Sequence, residues 1–244
     1  MIQNLIKESV LWSIARGFSL PQNPVERVNE LSFLKSLLQQ LQIDCVLDVG
    51  ANRGQFAQEL RKIGYQGRIV SFEPLRAEFQ TMSKLMQGDK NWLGFNMAMG
   101  DADEQKDIII SGNTLYTSFL EPAFETQHIE SQNVQVRRLD TFLPEVLPEL
   151  QASRVFLKMD TQGYDLRVFA GASGVKGCIR GIESELSIQP IYQDMPHYLE
   201  ALRVYEAAGF ELFNLSVVNR IESGGLLELN CFMRRPEQTV STSQ

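Results

Sequence analysis

The 244-residue chain has no concentration of positive charge: 23 Lys and Arg residues stand against 30 Asp and Glu residues, for a net charge of −7. Sequence-independent nucleic-acid binding needs cationic side chains that neutralise phosphates, so we expect no nucleic-acid partner. The chain also has no uncharged apolar run of about 18 residues, the length that predicts a membrane-spanning helix. Neither absence excludes a small anionic or neutral substrate.

Cysteine and histidine are also rare, with three and two residues respectively. Cys45, Cys178 and Cys231 lie far apart, lack the short spacings of a metal site, and cannot all pair because their number is odd. We therefore expect buried reduced thiols, a cytoplasmic location and no metal. A magnesium ion held only by oxygen ligands stays open as an alternative, since such sites leave little sequence signal.

Residues 1–44 predict an N-terminal helical extension. Residues 1–20 repeat apolar side chains about once per turn, without the unbroken apolar core of a signal peptide. Asn23 before Pro24 is typical of a helix start, because Asn caps the helix and Pro lacks an N–H that needs no partner there. This extension is expected to pack on the domain or on a second subunit, which would give a homodimer. The polar tail, residues 236–244, is expected to be flexible.

From residue 45 onwards, short apolar runs alternate with helical patterns, and this rhythm predicts an α/β fold with a doubly wound, largely parallel sheet. The predicted strands are residues 45–50, 68–73, 92–99, 155–160 and 178–186. The predicted helices are residues 55–63, 75–86, 166–170 and 197–208. Strands at 106–110 and 134–138 interrupt the rhythm and predict an insertion over one end of the sheet, and residues 211–217 and 227–233 suggest a hairpin.

The most informative segment is Asp48-Val-Gly50-Ala51-Asn52-Arg-Gly54, between the first strand and the first helix that follows it. Glycines there let the backbone approach a ligand, and the helix N-terminus offers free N–H groups. A dinucleotide fingerprint beginning at Gly50 would need glycine where Asn52 and Gln55 stand, so it fails twice. Asp48 would repel a pyrophosphate, but it can hold a cationic ligand such as S-adenosylmethionine.

The end of the next strand supports the same cofactor. Glu73, followed by Pro74, lies about 20 residues after Gly50, where a carboxylate can accept hydrogen bonds from both ribose hydroxyls. Each acid alone could be a cap or a strand end, but together they favour a cofactor site. At the end of the third strand, Met97 and Ala98 are expected to line the adenine, and Asp101 to reach it or to begin a turn.

These motifs resemble those of FkbM-type methyltransferases, which are class I S-adenosylmethionine-dependent enzymes. The matching segments are Val46–Gly54, Phe72-Glu73-Pro74 and Leu157-Lys158-Met-Asp160-Thr-Gln-Gly163. The resemblance covers residues 45–235 and implies a Rossmann-like, doubly wound, seven-stranded sheet with one antiparallel strand near an edge. It also implies O-methylation of a hydroxyl on a sugar, glycolipid or secondary metabolite. Asp165 stands where the family usually has Glu. An acid is therefore retained, but its side chain is shorter.

A hydroxyl acceptor needs a base to take its proton. Lys158 and Asp160 are two residues apart on one strand and share a face, as Glu183 and Glu185 do on the strand expected beside it. In the functional interpretation, Asp160 is the base or an orienting carboxylate, Lys158 polarises the acceptor oxygen, and Glu185 holds the substrate or tunes the lysine. The structural alternative is an ion pair such as Lys158 with Glu185.

His197, near the start of a predicted helix, is a rival base, and His128 is a weaker one; a capping or surface role is the alternative for both. Tyr116, Phe119 and Tyr192 either wall a substrate cleft or pack in the core. Two other functions remain open: an NAD-dependent oxidoreductase that uses the same turn, and a non-catalytic protein that retains the fold.

Overall fold

The structure, a computed structural model, describes residues 22–111, 117–123 and 129–236. The helix predicted within residues 1–20, most of the tail, and the candidates Tyr116 and His128 lie outside these ranges. None of the described helices is both long and apolar enough to cross a membrane.

Helices and strands alternate along the chain nearly as predicted. The helices are α1 (Gln22–Gln40), α2 (Gln55–Lys62), α3 (Arg76–Met86), α4 (Leu139–Val146), α5 (Asp165–Ala170) and α6 (Tyr198–Ala207). The strands are β1 (Cys45–Val49), β2 (Arg68–Phe72), β3 (Trp92–Phe95), β4 (Ala98–Met99), β5 (Glu104–Ser111), β6 (Thr117–Ser118), β7 (Ile129–Arg137), β8 (Val155–Met159), β9 (Ile179–Ser187), β10 (Glu211–Arg220) and β11 (Leu226–Arg234). Helix α1 begins one residue before Asn23, the predicted cap.

The main sheet has seven strands in the order β10-β11-β9-β8-β1-β2-β3. Strands β1, β2, β3, β8 and β9 pair in parallel, whereas β11 is antiparallel to both of its neighbours, β9 and β10. Within this sheet β11 therefore runs against the other strands, one position from the edge. The predicted doubly wound, seven-stranded sheet with one antiparallel strand is confirmed.

The strand predicted at residues 92–99 is instead two strands in two sheets. Strand β3 ends the main sheet, whereas β4 joins a small sheet of order β4-β7-β5-β6. The chain bends between them at Asn96, whose side-chain Nδ2 donates to the carbonyl oxygens of Glu73 and Pro74, both at 2.9 Å. The small sheet contains the predicted insertion, with β5 and β7 antiparallel.

Helix α1 completes the core on one face of the main sheet. Its residues Leu34, Leu37 and Leu38 belong to one buried apolar cluster with Val46 and Phe156 from the central strands. Helices α4, α5 and α6 contribute to the cluster on the opposite face, which gives three layers. The boundary expected at residue 44 therefore does not separate two cores.

Candidate active site

A cavity of about 600 Å³ opens at the carboxyl ends of β1, β2 and β8. The strand order reverses between β1 and β8, and open α/β sheets bind ligands at such a point. The volume is typical of small-molecule sites, which span about 300–1,000 Å³. The sequence-predicted residues that line it are Gly50, Ala51, Asn52, Glu73, Pro74, Ala98, Phe119, Lys158, Asp160 and Glu185.

The loop between β1 and α2 needs its glycines for internal packing. Gly50 and Gly54 have φ angles of 79° and 81°, which side chains other than glycine's rarely adopt. A Cβ on Gly50 would lie 1.9 Å from the carbonyl oxygen of Asp160, and one on Gly54 would lie 2.9 Å from Met82 Cγ. Gly54 does not line the cavity. Both glycines therefore bring protein segments together; Gly50 also lines the cavity, so only Gly54 departs from the close ligand approach expected from the sequence.

Glu73 is fixed by the backbone and faces the cavity. Its Oε2 accepts a hydrogen bond from Asn52 N and its Oε1 accepts one from Leu75 N, both at 2.8 Å. The residue is only 5% exposed, and this burial raises the pKa of its carboxyl group to about 7. A carboxylate offers about four acceptor positions, so each oxygen of Glu73 can accept one more hydrogen bond.

Charged side chains occupy paired positions on neighbouring strands at the centre of the sheet. Asp48 of β1 is paired with Ser71 on one side and Lys158 on the other, and Lys158 is paired with Glu183. The Asp48 side chain is fully buried; its Oδ2 accepts from Ser71 Oγ at 3.2 Å and its Oδ1 lies 3.3 Å from Lys158 Nζ. Asp48 therefore lies beneath the loop in an internal ion pair, and it does not line the cavity as the cofactor contact that the sequence suggested.

Lys158 connects the loop to the acid expected to be the base. Its Nζ lies 3.3 Å from Asp160 Oδ2 and 3.4 Å from the carbonyl oxygen of Gly50. Burial favours the neutral amine, but Asp160, Asp48 and Glu183 more than offset this and raise the pKa of Lys158. Lys158 is therefore an ammonium group that cannot accept a proton from a substrate.

Asp160 is the accessible member of this group, with 43% of its side chain exposed. Gln162 follows it and donates from Nε2 to Glu185 Oε2 at 2.8 Å and to Asp160 Oδ1 at 3.5 Å. Tyr192, almost fully buried, donates from its hydroxyl to Gln162 Oε1 at 3.1 Å. Gln162 thus orients both carboxylates, and the ion pair that the sequence allowed between Lys158 and Glu185 is not formed.

Residues 48–212 of the chain match the methyltransferase FkbM domain. The chain belongs to the FkbM methyltransferase family. The match covers more than half of the chain and confirms the family that the sequence motifs indicated. No curated protein matches the chain significantly.

Solved methyltransferase structures are similar to this FkbM protein at low identity. One is the magnesium protoporphyrin IX methyltransferase of Synechocystis PCC 6803 with bound S-adenosylmethionine; its TM-score is 0.49 at 9% identity, over 87% of this chain and 81% of that chain. Another is the 1,6-didemethyltoxoflavin-N1-methyltransferase of Burkholderia thailandensis with bound 1,6-didemethyltoxoflavin and S-adenosylhomocysteine; its TM-score is 0.48 at 12% identity, over 97% and 89%. The family assignment rests on the domain match.

The acid that departs from the family pattern, Asp165, ties the end of β8 to β9. Its Oδ1 accepts from Thr161 N at 3.0 Å, and its Oδ2 accepts from Ser184 Oγ at 2.7 Å and from Glu185 N at 3.2 Å. Burial raises the pKa of the Asp165 carboxyl group. The shorter side chain therefore still reaches both strands and holds the loop that carries Asp160.

Three other predicted residues lie outside the cavity lining of the FkbM protein. His197 is exposed and caps α6, where its Nδ1 accepts from Leu199 N at 3.3 Å, so the capping interpretation holds rather than the catalytic one. Asp101 pairs with Arg167, with 2.8 Å between Asp101 Oδ2 and Arg167 Nη1. Met97 packs against the apolar core beside Phe95. All three are held by internal contacts, which sequence position alone does not reveal.

Other cavity residues were missed by the sequence analysis. Glu228 of β11 and Arg27 of α1 both line the cavity, although they come from parts of the chain with no recognisable motif. Gln162 lies inside a motif, but its role depends on φ of 51°, which turns the chain after β8. Glu183, which the sequence analysis named only because it shares a strand face with Glu185, also lines the cavity.

Proposed function

We propose that this protein is an S-adenosylmethionine-dependent O-methyltransferase that acts on a hydroxyl of a sugar, a glycolipid or a secondary metabolite. The observation that carries the proposal is the placement of two acids in one cavity: Glu73, buried and fixed at the end of β2, and Asp160, accessible and fixed at the end of β8. Glu73 is suited to bind a cofactor, and Asp160 is suited to contact the hydroxyl that reacts.

The part of the cavity around Glu73 fits S-adenosylmethionine better than a dinucleotide. Glu73 has acceptor positions left for the two ribose hydroxyls after its backbone contacts. Asn52 stands where a dinucleotide loop uses glycine to let the backbone approach the pyrophosphate. The acids that line the cavity also favour a cationic ligand over a pyrophosphate.

S-adenosylmethionine, when bound, supplies a methyl group on a positively charged sulfur. The residues of the chain then have two tasks: to hold the acceptor hydroxyl and to take its proton. Asp160 is the base in this proposal, because it is the accessible carboxylate, and Lys158 and Gln162 orient its two oxygens. A positioned base typically accelerates a reaction by about 10²–10⁴-fold.

Calorimetric titration with S-adenosylhomocysteine tests the cofactor assignment. The wild-type protein should bind it at one site, and Glu73→Gln should weaken binding about tenfold or more, since a hydrogen bond to a charged group contributes about 1.5–3 kcal/mol. Glu222→Gln, in the exposed turn of the β10–β11 hairpin, is the matched control and should bind as the wild type does. Equal binding by Glu73→Gln, or binding of NADH in preference, would refute the assignment.

Location and assembly are further predictions of the same account. A cytoplasmic location can be tested by cell fractionation. A homodimer formed through residues 1–44 can be tested by light scattering of the full chain.

A further inference from the structure

Three buried acids form one group beside Asp160: Glu183, Glu185 and Glu228, here called the acid cluster. Glu183 and Glu185 are two residues apart on β9, and Ser187, two residues further, is paired with Glu228 on the adjacent strand β11. The three side chains therefore project from one face of two neighbouring strands. All three line the cavity.

The cluster differs from Glu59 and Asp160, which also line the cavity, because no cation of the described residues pairs with it. Lys158 pairs with Asp48 and Asp160, and Arg27 pairs with Glu30 and Glu59. Within the described part of the chain, no Lys, Arg or His nitrogen lies within 4.0 Å of an oxygen of the acid cluster.

Hydrogen bonding also leaves the cluster incomplete. Glu185 accepts from Gln162, and Glu228 accepts from Asn219 Nδ2 at 2.6 Å; both donors are neutral amides. Glu183 is 3% exposed, and its Oε2 has no hydrogen-bond partner among the described residues. A carboxylate this deeply buried normally has a cationic or hydrogen-bonding partner.

The pKa values of all three acids are raised. Burial raises the pKa of Glu183 to about 8, and Lys158 and Arg27 offset only part of this rise; burial also raises the pKa of Glu185 well above its usual range and raises that of Glu228. The described residues contain no group of three His, Cys, Asp or Glu side chains arranged to hold a metal ion.

We propose that the acceptor carries an ammonium group next to its reacting hydroxyl, as an amino sugar or amino alcohol does, and that the acid cluster binds this ammonium. The inference rests on the proposed function, in which Asp160 marks the position of the hydroxyl. Glu183 Oε2 gains its missing donor, and the ammonium compensates the buried charge. An amine held in this way keeps its proton and has no lone pair, so the methyl group goes to oxygen.

The test compares amines with neutral analogues of the same size, in the presence of saturating S-adenosylhomocysteine. The matched sets are D-glucosamine with D-glucose and N-acetyl-D-glucosamine, serinol with glycerol, and ethanolamine with ethylene glycol. In at least one set the amine should bind about tenfold or more tightly than its neutral analogue, as expected for a charge-assisted hydrogen bond. Binding at pH 7 should also release protons, measured by calorimetry in two buffers, because the cation lowers the pKa values of the acids.

Variants of the acid cluster test whether the cluster causes the preference for the amine. Glu183→Gln should reduce both the preference for the amine and the proton release. Glu228→Gln, made as a separate variant, should do the same. Glu222→Gln should change neither. Equal binding of amine and neutral analogue in every set, or a preference that survives both variants, would overturn the proposal.

The same measurements separate this inference from the proposed function. If S-adenosylhomocysteine fails to bind, the cofactor assignment fails, and amine binding by the protein alone still tests the cluster. If it binds while no amine is preferred, only the inference about the acceptor fails.

Discussion

Two sets of acids lie on the same face of the main sheet, and they differ in whether a cation forms an ion pair with them. Asp48 and Asp160 share Lys158, whereas no Lys, Arg or His nitrogen of the described residues lies within 4.0 Å of an oxygen of Glu183, Glu185 or Glu228. In the first set, Asp48 is buried beneath the loop after β1 and Asp160 is accessible from the cavity. The second set lines the cavity without an ion pair among the described residues.

Asp48 and Glu183, one from each set, show the difference. Asp48 is fully buried; its Oδ2 accepts a hydrogen bond from Ser71 and its Oδ1 forms an ion pair with Lys158, so its main effect is to hold Lys158. Glu183 is nearly as buried, but its Oε2 has neither a hydrogen bond nor an ion pair among the described residues. Asp48 Oδ1 also lacks a hydrogen bond, so the ion pair with Lys158 is what separates the two residues.

Asp160→Asn should have the largest effect. An amide cannot take the proton of the acceptor hydroxyl, so the rate of methyl transfer should fall by about 10²–10⁴-fold. Labelled-methyl assays measure the rate, and calorimetry should show S-adenosylhomocysteine affinity unchanged. A variant with the wild-type rate would remove Asp160 from the proposed chemistry.

Lys158→Met should be the most destabilising change, because it leaves Asp48 buried beside no cation. Loss of one partner of a buried ion pair costs about 3–5 kcal/mol, which urea denaturation can measure. The double variant Lys158→Met/Asp48→Asn should recover part of this loss. If the single variant is as stable as the wild type, the paired acids are not held as described.

The pH dependence of stability should reflect the raised pKa values of the buried acids that line the cavity. The raised pKa values of Glu183, about 8, and of Glu73, about 7, mean that the folded protein binds more protons than the unfolded chain above about pH 4.5. The free energy of unfolding should therefore fall as pH rises from 6 towards 8, by at most about 1.4 kcal/mol per pH unit for each proton.

Glu183→Gln should flatten this dependence in the protein without ligand, because it removes one of the titrating groups. Thermal melts between pH 6 and pH 8.5 measure the change, with Glu222→Gln as the control. A slope that does not change in Glu183→Gln would contradict the assignment of an uncompensated carboxyl group.

Tyr192→Phe should have the smallest effect. It removes one hydrogen bond to Gln162, which typically contributes about 0.5–1.5 kcal/mol to stability. Because Gln162 orients Asp160 and Glu185, the rate of methyl transfer should fall modestly while S-adenosylhomocysteine affinity stays constant. A change in cofactor affinity with no change in rate would show that Gln162 does not act on the residues proposed to bind the acceptor.

Local patterns predicted most elements of the fold, because apolar runs and glycine breaks are properties of short segments. Three features escaped them, and one is the short strand β6. Helix α4 was not predicted, since it contains Pro144 and is short, yet it buries Leu139, Phe142 and Leu143. The split between β3 and β4 was also missed, since it depends on contacts of Asn96 with distant backbone carbonyls.

Site residues could be predicted where a sequence motif marks the end of a strand. They could not be predicted where their role depends on a residue of the neighbouring strand. Glu73 and Asp160 lie where their motifs indicated. The partners of Asp48 and Glu228 follow from strand pairing that separates residues by tens of positions in the chain. Sequence spacing therefore located the cavity, whereas only the three-dimensional structure revealed which acids have a cation.

The most direct test of the central claim is to locate the methyl group in the product. The protein would be incubated with S-adenosylmethionine carrying a labelled methyl group and with the amino sugars and amino alcohols named above, and the product analysed by mass spectrometry and NMR. The account predicts a methyl group on oxygen, in a reaction that Asp160→Asn slows by about 10²–10⁴-fold. A methyl group on nitrogen, or O-methylation that Asp160→Asn leaves unchanged, would contradict it.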